Sequence, residues 1–183
     1  DGSLDVGLSS RPLKEAEIEK GAAAMVYAQT PLVFVTSHKT EKTDYSLKDM
    51  ASIYAGALKT WPDGSLIRLV MRPESESTTQ DLMNMSPEMA GAVRHALSQE
   101  GMIVAINDQD NLDTVENVPG AIGVATLSQV VSEKRLVRVL SLDGVVPSLE
   151  TLADGTYTHR KTFYLVTTPN PPAAVKSFID FVR

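Results

Sequence analysis

Short runs of β-branched and aromatic residues alternate along this chain with stretches of helical spacing. That alternation indicates an α/β fold with helices on both faces of mixed sheets. Residues 6–8 read as a short buried strand, and Ser9, Ser10, Arg11 and Pro12 then open a helix with Pro in its first turn and Glu15 and Glu17 near its positive end. Residues 23–27 and 32–36 read as two extended segments split by Gln29, Thr30 and Pro31. Ser46 and Asp49 have capping-box spacing ahead of a compact helix through Met50, Ile53 and Tyr54, which Gly56 stops. After a turn at Trp61, Pro62, Asp63 and Gly64, a strand over 66–71 delivers Arg72 to a polar loop. Helices are expected over 78–83, 87–99 and 109–117, and Pro119 and Gly120 then break the chain before a strand over 122–125. A helix over 127–133, a strand over 136–142, a helix over 149–153 capped by Ser148, a strand over 162–168 and a last helix from near Pro172 complete the pattern.

Charge and composition narrow the partners. The net charge of −6 and pI near 5.1 argue against a nucleic-acid or anionic-membrane surface, since both attract clustered Lys and Arg. The chain has no Cys, which excludes a disulfide framework, a Cys-rich zinc site and a thiol nucleophile and leaves the redox compartment open. No apolar run approaches the ~20 residues of a membrane span, and nothing reads as a signal peptide, so an export signal would lie outside this chain. The chain opens on a turn at Asp1, Gly2 and Ser3 that leads straight into a strand. It stops at Arg183 inside an amphipathic helix, so both ends are expected to continue.

Four segments, in order, carry a resemblance. Asp5-Val6-Gly7-Leu8-Ser9-Ser10-Arg11-Pro12-Leu13 is a strand running into a polar loop. Ile53-Tyr54-Ala55-Gly56 is followed by Trp61 and then by Arg72-Pro73-Glu74-Ser75-Glu76-Ser77-Thr78. Pro119-Gly120-Ala121-Ile122-Gly123 comes third, and Leu142-Asp143-Gly144-Val145, Pro147-Ser148, Gly155-Thr156-Tyr157 and Arg160 come last. Together they resemble the periplasmic phosphate-binding proteins of ABC importers. The resemblance implies a two-lobed type II periplasmic-binding fold with ligand in the cleft between lobes, and the first strand, helix and strand of lobe one absent from this chain. Lobe one would combine residues 1–32 and 160–183, and lobe two would be residues 33–159 with the crossovers. It also implies an exported periplasmic or envelope protein, a membrane permease as partner, and no cofactor. If lobe one lacks its first segment, exposed sheet edges are open to completion by another copy.

The resemblance carries anion-binding roles onto Ser10, Arg72, Glu76, Ser77 and Thr78. The residues support such roles on chemical grounds, because loops entering helices offer unsatisfied N–H groups and Arg offers a planar, always-charged fork. Ser9 and Ser10 supply hydroxyls at one loop; Ser75, Ser77 and Thr78 supply them at the other. The sequence departs from the family at two places: Ser10 stands where enterobacterial relatives carry an acidic residue, and Glu76 and Ser77 replace the Ser and Gly of an "SGT" loop. An ionised Glu about 4 Å from an anion repels it by roughly 4 kcal/mol per unit charge at an effective dielectric of 20. Glu76 therefore points to solvent, or the ligand is not a simple phosphate. Ser77 and Gln80 also have capping-box spacing, so capping competes with ligand contact at Ser77.

Other candidates have plainer readings. His38, His95 and His159 lack metal-site spacing. Asp108, Asp110 and Asp113 lack the Gly and Glu of a calcium loop and read as a helix N-terminus. Leu82, Met83, Met85, Met89 and Trp61 read as packing residues. Reversible binding of a small oxyanion, phosphate first, is thus the leading expectation. A ligand-sensing or interaction domain of a longer envelope protein is the alternative; an enzyme is third, since neither a Ser-His-Asp order nor a phosphate-cradling Gly loop with Lys can be assembled.

Overall fold

The computed structural model of the chain describes residues 4–37, 39 and 41–182. Expectations about His38, the turn at residues 1–3 and the terminal Arg183 lie outside the described residues. In chain order the elements begin β1 (Gly7–Ser9), α1 (Glu15–Glu19), β2 (Ala23–Thr36), β3 (Asp44–Tyr45), α2 (Leu47–Tyr54), β4 (Arg68–Met71), α3 (Ser77–Met83), α4 (Pro87–Leu97) and β5 (Ile103–Val104). They continue α5 (Asp108–Asn117), β6 (Ala121–Thr126), α6 (Leu127–Ser132), β7 (Arg138–Val139), β8 (Ser141–Leu142), α7 (Leu149–Ala153), β9 (Arg160–Thr167) and α8 (Ala173–Val182). Two compact units result, one of residues 30–160 and one of residues 4–29 with 161–182.

The larger unit is built on the two-residue period of its strands. In β2, Leu32 and Phe34 join one core while Val33 and Val35 join the other; in β6, Ile122 and Val124 take the first side and Ala121 and Ala125 the second. One sheet face is therefore covered by α2, α3 and α4 through Met50, Tyr54, Leu82 and Met89, and the other by α5 and α6 through Leu112, Val115 and Val130. The sheet is mixed: β2 pairs antiparallel with β6 and β7, and β4 lies parallel to both β6 and β5. Helix starts follow local chemistry, with the hydroxyls of Ser46, Ser86 and Ser148 accepting from the N–H groups of Asp49, Met89 and Thr151.

Two glycines of the Pro119–Gly123 segment are required by close approach. A Cβ on Gly120, whose φ is +75°, would lie 2.1 Å from the Leu66 carbonyl oxygen. The Gly120 carbonyl accepts from Trp61 Nε1 (3.0 Å) and from the Arg68 N–H (2.9 Å), which ties the Trp61 turn to the start of β6. At Gly123 a Cβ would meet Val115 Cγ2 at 2.8 Å and Asn111 Oδ1 at 3.0 Å, so glycine lets α5 sit directly on the sheet.

In the smaller unit β1 pairs antiparallel with β9, and β9 lies beside the first part of β2. Its buried side chains include Leu165, Val175 and Lys161.

Four local expectations are corrected. Residues 23–36 form one continuous strand, not two segments, and Pro31 is accommodated within it. Residues 136–142 form two short strands, because the chain changes partner: Leu140 N–H donates to Phe34 O, and the next N–H, that of Ser141, donates to Thr43 O. The first helix begins at Glu15 rather than Pro12, since Glu17 reaches back to accept the Lys14 N–H at 2.7 Å while Lys14 stays extended. The first strand is not buried; Leu8 is 71% exposed. No helix among the described residues is long and apolar enough to cross a membrane.

Candidate functional site

Arg72 directly follows β4, whose Val70 and Met71 are buried on opposite faces of the sheet. The strand carries the guanidinium to its end and the surrounding packing leaves the residue only 8% exposed. A buried cation needs compensation, and three oxygens surround this one. Nη1 donates to the Ala105 carbonyl at 2.8 Å. Nη2 lies 3.2 Å from Glu76 Oε2, and Nε faces Asp108 Oδ1 at 3.3 Å without hydrogen-bond alignment. Ala105 is itself fixed by its N–H on Met71 O, and the Arg72 carbonyl accepts from Thr79 Oγ1.

Beside Arg72 is a cavity of about 10 Å³, lined among others by Tyr54, Thr78, Thr79 and Asn111. That volume is room for roughly one water molecule. Asn111 is 2% exposed; its Nδ2 donates to Val124 O, while its Oδ1 accepts no hydrogen bond among the described residues. Burial without ion partners pushes the Tyr54 hydroxyl well above the ordinary tyrosine range.

The geometry resolves where Glu76 points. It faces Arg72 rather than solvent alone, and its backbone forms the N-cap of α3 without a side-chain capping bond. Capping by Ser77 is corrected accordingly, since Ser77 is the first residue inside the helix and Gln80 Nε2 donates instead to Glu74 O at 2.6 Å. Thr78 is half-buried on the cavity wall, and Ser75 is exposed.

Ser9 and Ser10 belong to the smaller unit. Ser9 Oγ donates to Arg11 O at 2.8 Å and accepts from the Arg11 N–H at 3.3 Å, which makes it a local turn residue. The helix α1 starts at Glu15, beyond both serines in the chain. Arg11 forms a two-pronged pair with Glu17 at 2.8 and 2.7 Å, and this pairing holds the Glu17 carboxyl down at about 2.

The sequence reading brought Arg72, Glu76, Ser77 and Thr78 forward from one segment. It missed Asn111 and the part played by Asp108. The available signals were a polar Asn sharing the buried face of α5 with Leu112 and Val115, and an acid at a helix start one loop away from β5. Among the described residues no group of three or more His, Asp or Glu side chains is placed to hold a metal ion.

Residues 1–183 match the sequence model of the PBP superfamily domain family. The chain is 27% identical over 187 residues to the phosphate-binding protein PstS of Borreliella burgdorferi, covering 97% of this chain and 66% of that protein. It is 28% identical over 194 residues to the phosphate-binding protein PstS of Bacillus subtilis, covering 100% of this chain and 60% of that one. The chain thus spans less than two thirds of the length of these relatives. A putative phosphate ABC transporter substrate-binding protein from Clostridium perfringens, solved with bound phosphate, shares the fold with a TM-score of 0.80 at 22% identity, over 99% of this chain and 73% of that one.

Proposed function

This chain belongs to the PBP superfamily, and on that premise we propose that it is solute-binding in function, taking up phosphate or a small oxyanion of similar shape for an ABC importer. The observation that carries the reading is Arg72, a buried guanidinium delivered to the end of a central strand beside a loop of hydroxyl and N–H donors. Arg matches an oxyanion because its N–H groups form a fixed planar fork that stays charged at any physiological pH. Ser77 and Thr78 bring hydroxyl donors from the first turn of α3, and Thr79 Oγ1 donates to the Arg72 carbonyl. Binding is reversible and needs no covalent step. The protein would act outside the cytoplasmic membrane, where a solute-binding component delivers its cargo to a permease.

The test is calorimetric titration of phosphate into ligand-stripped protein, with sulfate alongside. Arg72→Ala removes the only positive charge of the cluster and leaves Glu76 and Asp108 facing the ligand. Loss of a buried charge-assisted contact weakens binding by about 30-fold or more. Phosphate binding that is indifferent to Arg72→Ala, or no binding of either anion, rejects the reading and favours a sensing or interaction domain.

A further inference from the structure

We infer that Glu76 sets the oxyanion affinity of this site: its carboxylate is an internal anion seated on Arg72, which a ligand oxyanion must displace. The inference rests on reading Arg72 as the anchor of a bound anion. The three guanidinium nitrogens are already divided, with Nη1 on the Ala105 carbonyl, Nε facing Asp108 and Nη2 facing Glu76. One positive and two negative charges leave the cluster at −1 (1 − 2), so an arriving anion is repelled while both carboxylates remain.

The two carboxylates are not equivalent. Asp108 stands in the first turn of α5, where the helix terminus favours an acid whether or not Arg72 is near. Glu76 makes no capping bond to α3, and although Asp108 is the more exposed of the two, the longer stem of Glu76 lets its carboxylate swing away from Arg72. The cavity against Arg72 is about 10 Å³, too small for a tetrahedral oxyanion. A ligand oxygen that pairs with Nη2 therefore takes the position that Glu76 holds. Displacement penalises phosphate and sulfate alike, which distinguishes it from a role in which Glu76 accepts a proton from phosphate.

The test titrates inorganic phosphate and sulfate into the full chain carrying Glu76→Gln, Glu76→Ser, Arg72→Gln, or Glu76→Gln with Arg72→Gln, after thermal melting has confirmed each fold. The expected result is about tenfold or greater tightening for both anions in either Glu76 variant, and no such gain in the double variant. Glu76→Ser stands in if Glu76→Gln fails to fold. Unchanged or weaker phosphate binding in both Glu76 variants, while the parent chain binds through Arg72, overturns the inference and leaves the anion-binding reading intact. Loss for phosphate with gain for sulfate overturns it in favour of proton acceptance. If neither parent nor Glu76 variants bind either anion, the anion-binding reading falls and this inference with it.

Discussion

The two units solve the same folding problem with unequal means. The larger one buries apolar residues on both faces of its sheet, with Leu32, Phe34 and Ile122 on one side and Val33, Val35 and Leu112 on the other. The smaller one leaves Leu4, Leu8, Ile18, Val26 and Phe181 largely exposed. Their polar loops differ in the same way. Arg72 is held by a packed strand end and a backbone carbonyl, whereas the Ser9–Arg11 turn is held by a surface pair between Arg11 and Glu17. Position set by packing resists salt and acid; position set by an exposed ion pair does not.

The largest expected effect breaks the packed side of this contrast. Gly120→Ala forces a methyl group to within van der Waals overlap of the Leu66 carbonyl, at a backbone angle that disfavours any side chain. A loss of more than about 4 kcal/mol in urea unfolding is expected, and a loss below 1 kcal/mol shows that the Trp61 turn yields freely.

Matched truncations sharpen the comparison. Leu112→Ala empties a fully buried position on α5 and should cost about 2–4 kcal/mol. Leu8→Ala in the smaller unit should change stability by less than about 0.5 kcal/mol. Chemical denaturation of both variants decides it, and equal losses would mean that Leu8 is covered in solution.

These contrasts separate what local sequence encodes from what it does not. Ser46, Ser148 and Trp61 were legible because a cap or a turn is decided within a few residues. The strand leading to Arg72 was legible for the same reason, its apolar run ending at a charge. The continuity of β2 was not, since Pro31 breaks a local pattern while burial on both sides holds the strand together. The partner change between Leu140 and Ser141 is set by Phe34 and Thr43, far away in sequence. Asp108 meets Arg72, and Asn111 shares its cavity, through the parallel packing of β4, β5 and β6, which no window of sequence contains. Ser77 was misread because Glu76, one residue earlier, takes the capping position while turning its side chain to Arg72.

Acid separates the units next. Arg11 holds the Glu17 carboxyl at about 2, below its usual 4.5, so the folded chain favours the ionised form. The stabilisation is fully present above about pH 4.5 and is lost as pH falls through about 2. NMR titration of the Glu17 side chain should find the low value and its return toward 4.5 in Arg11→Ala. A normal value in the parent chain shows the pair to be broken in solution.

The smallest effect has the opposite cause. His159 stacks edge-on against Tyr157, with ring centres 5.8 Å apart, and its partial burial lowers its pKa from the ordinary 6.5 although Asp143 pulls the other way. A lowered imidazole pKa means that the unfolded chain binds the proton more readily, so this contribution is present above about pH 6.5 and declines as pH falls below it. His159→Gln should flatten the stability profile just below pH 6.5 while leaving the Glu17 window near pH 2 unchanged. If the decline persists in that variant, the acid sensitivity of the larger unit comes from its carboxylates, and burial is not the property that distinguishes its pH response from that of the smaller unit.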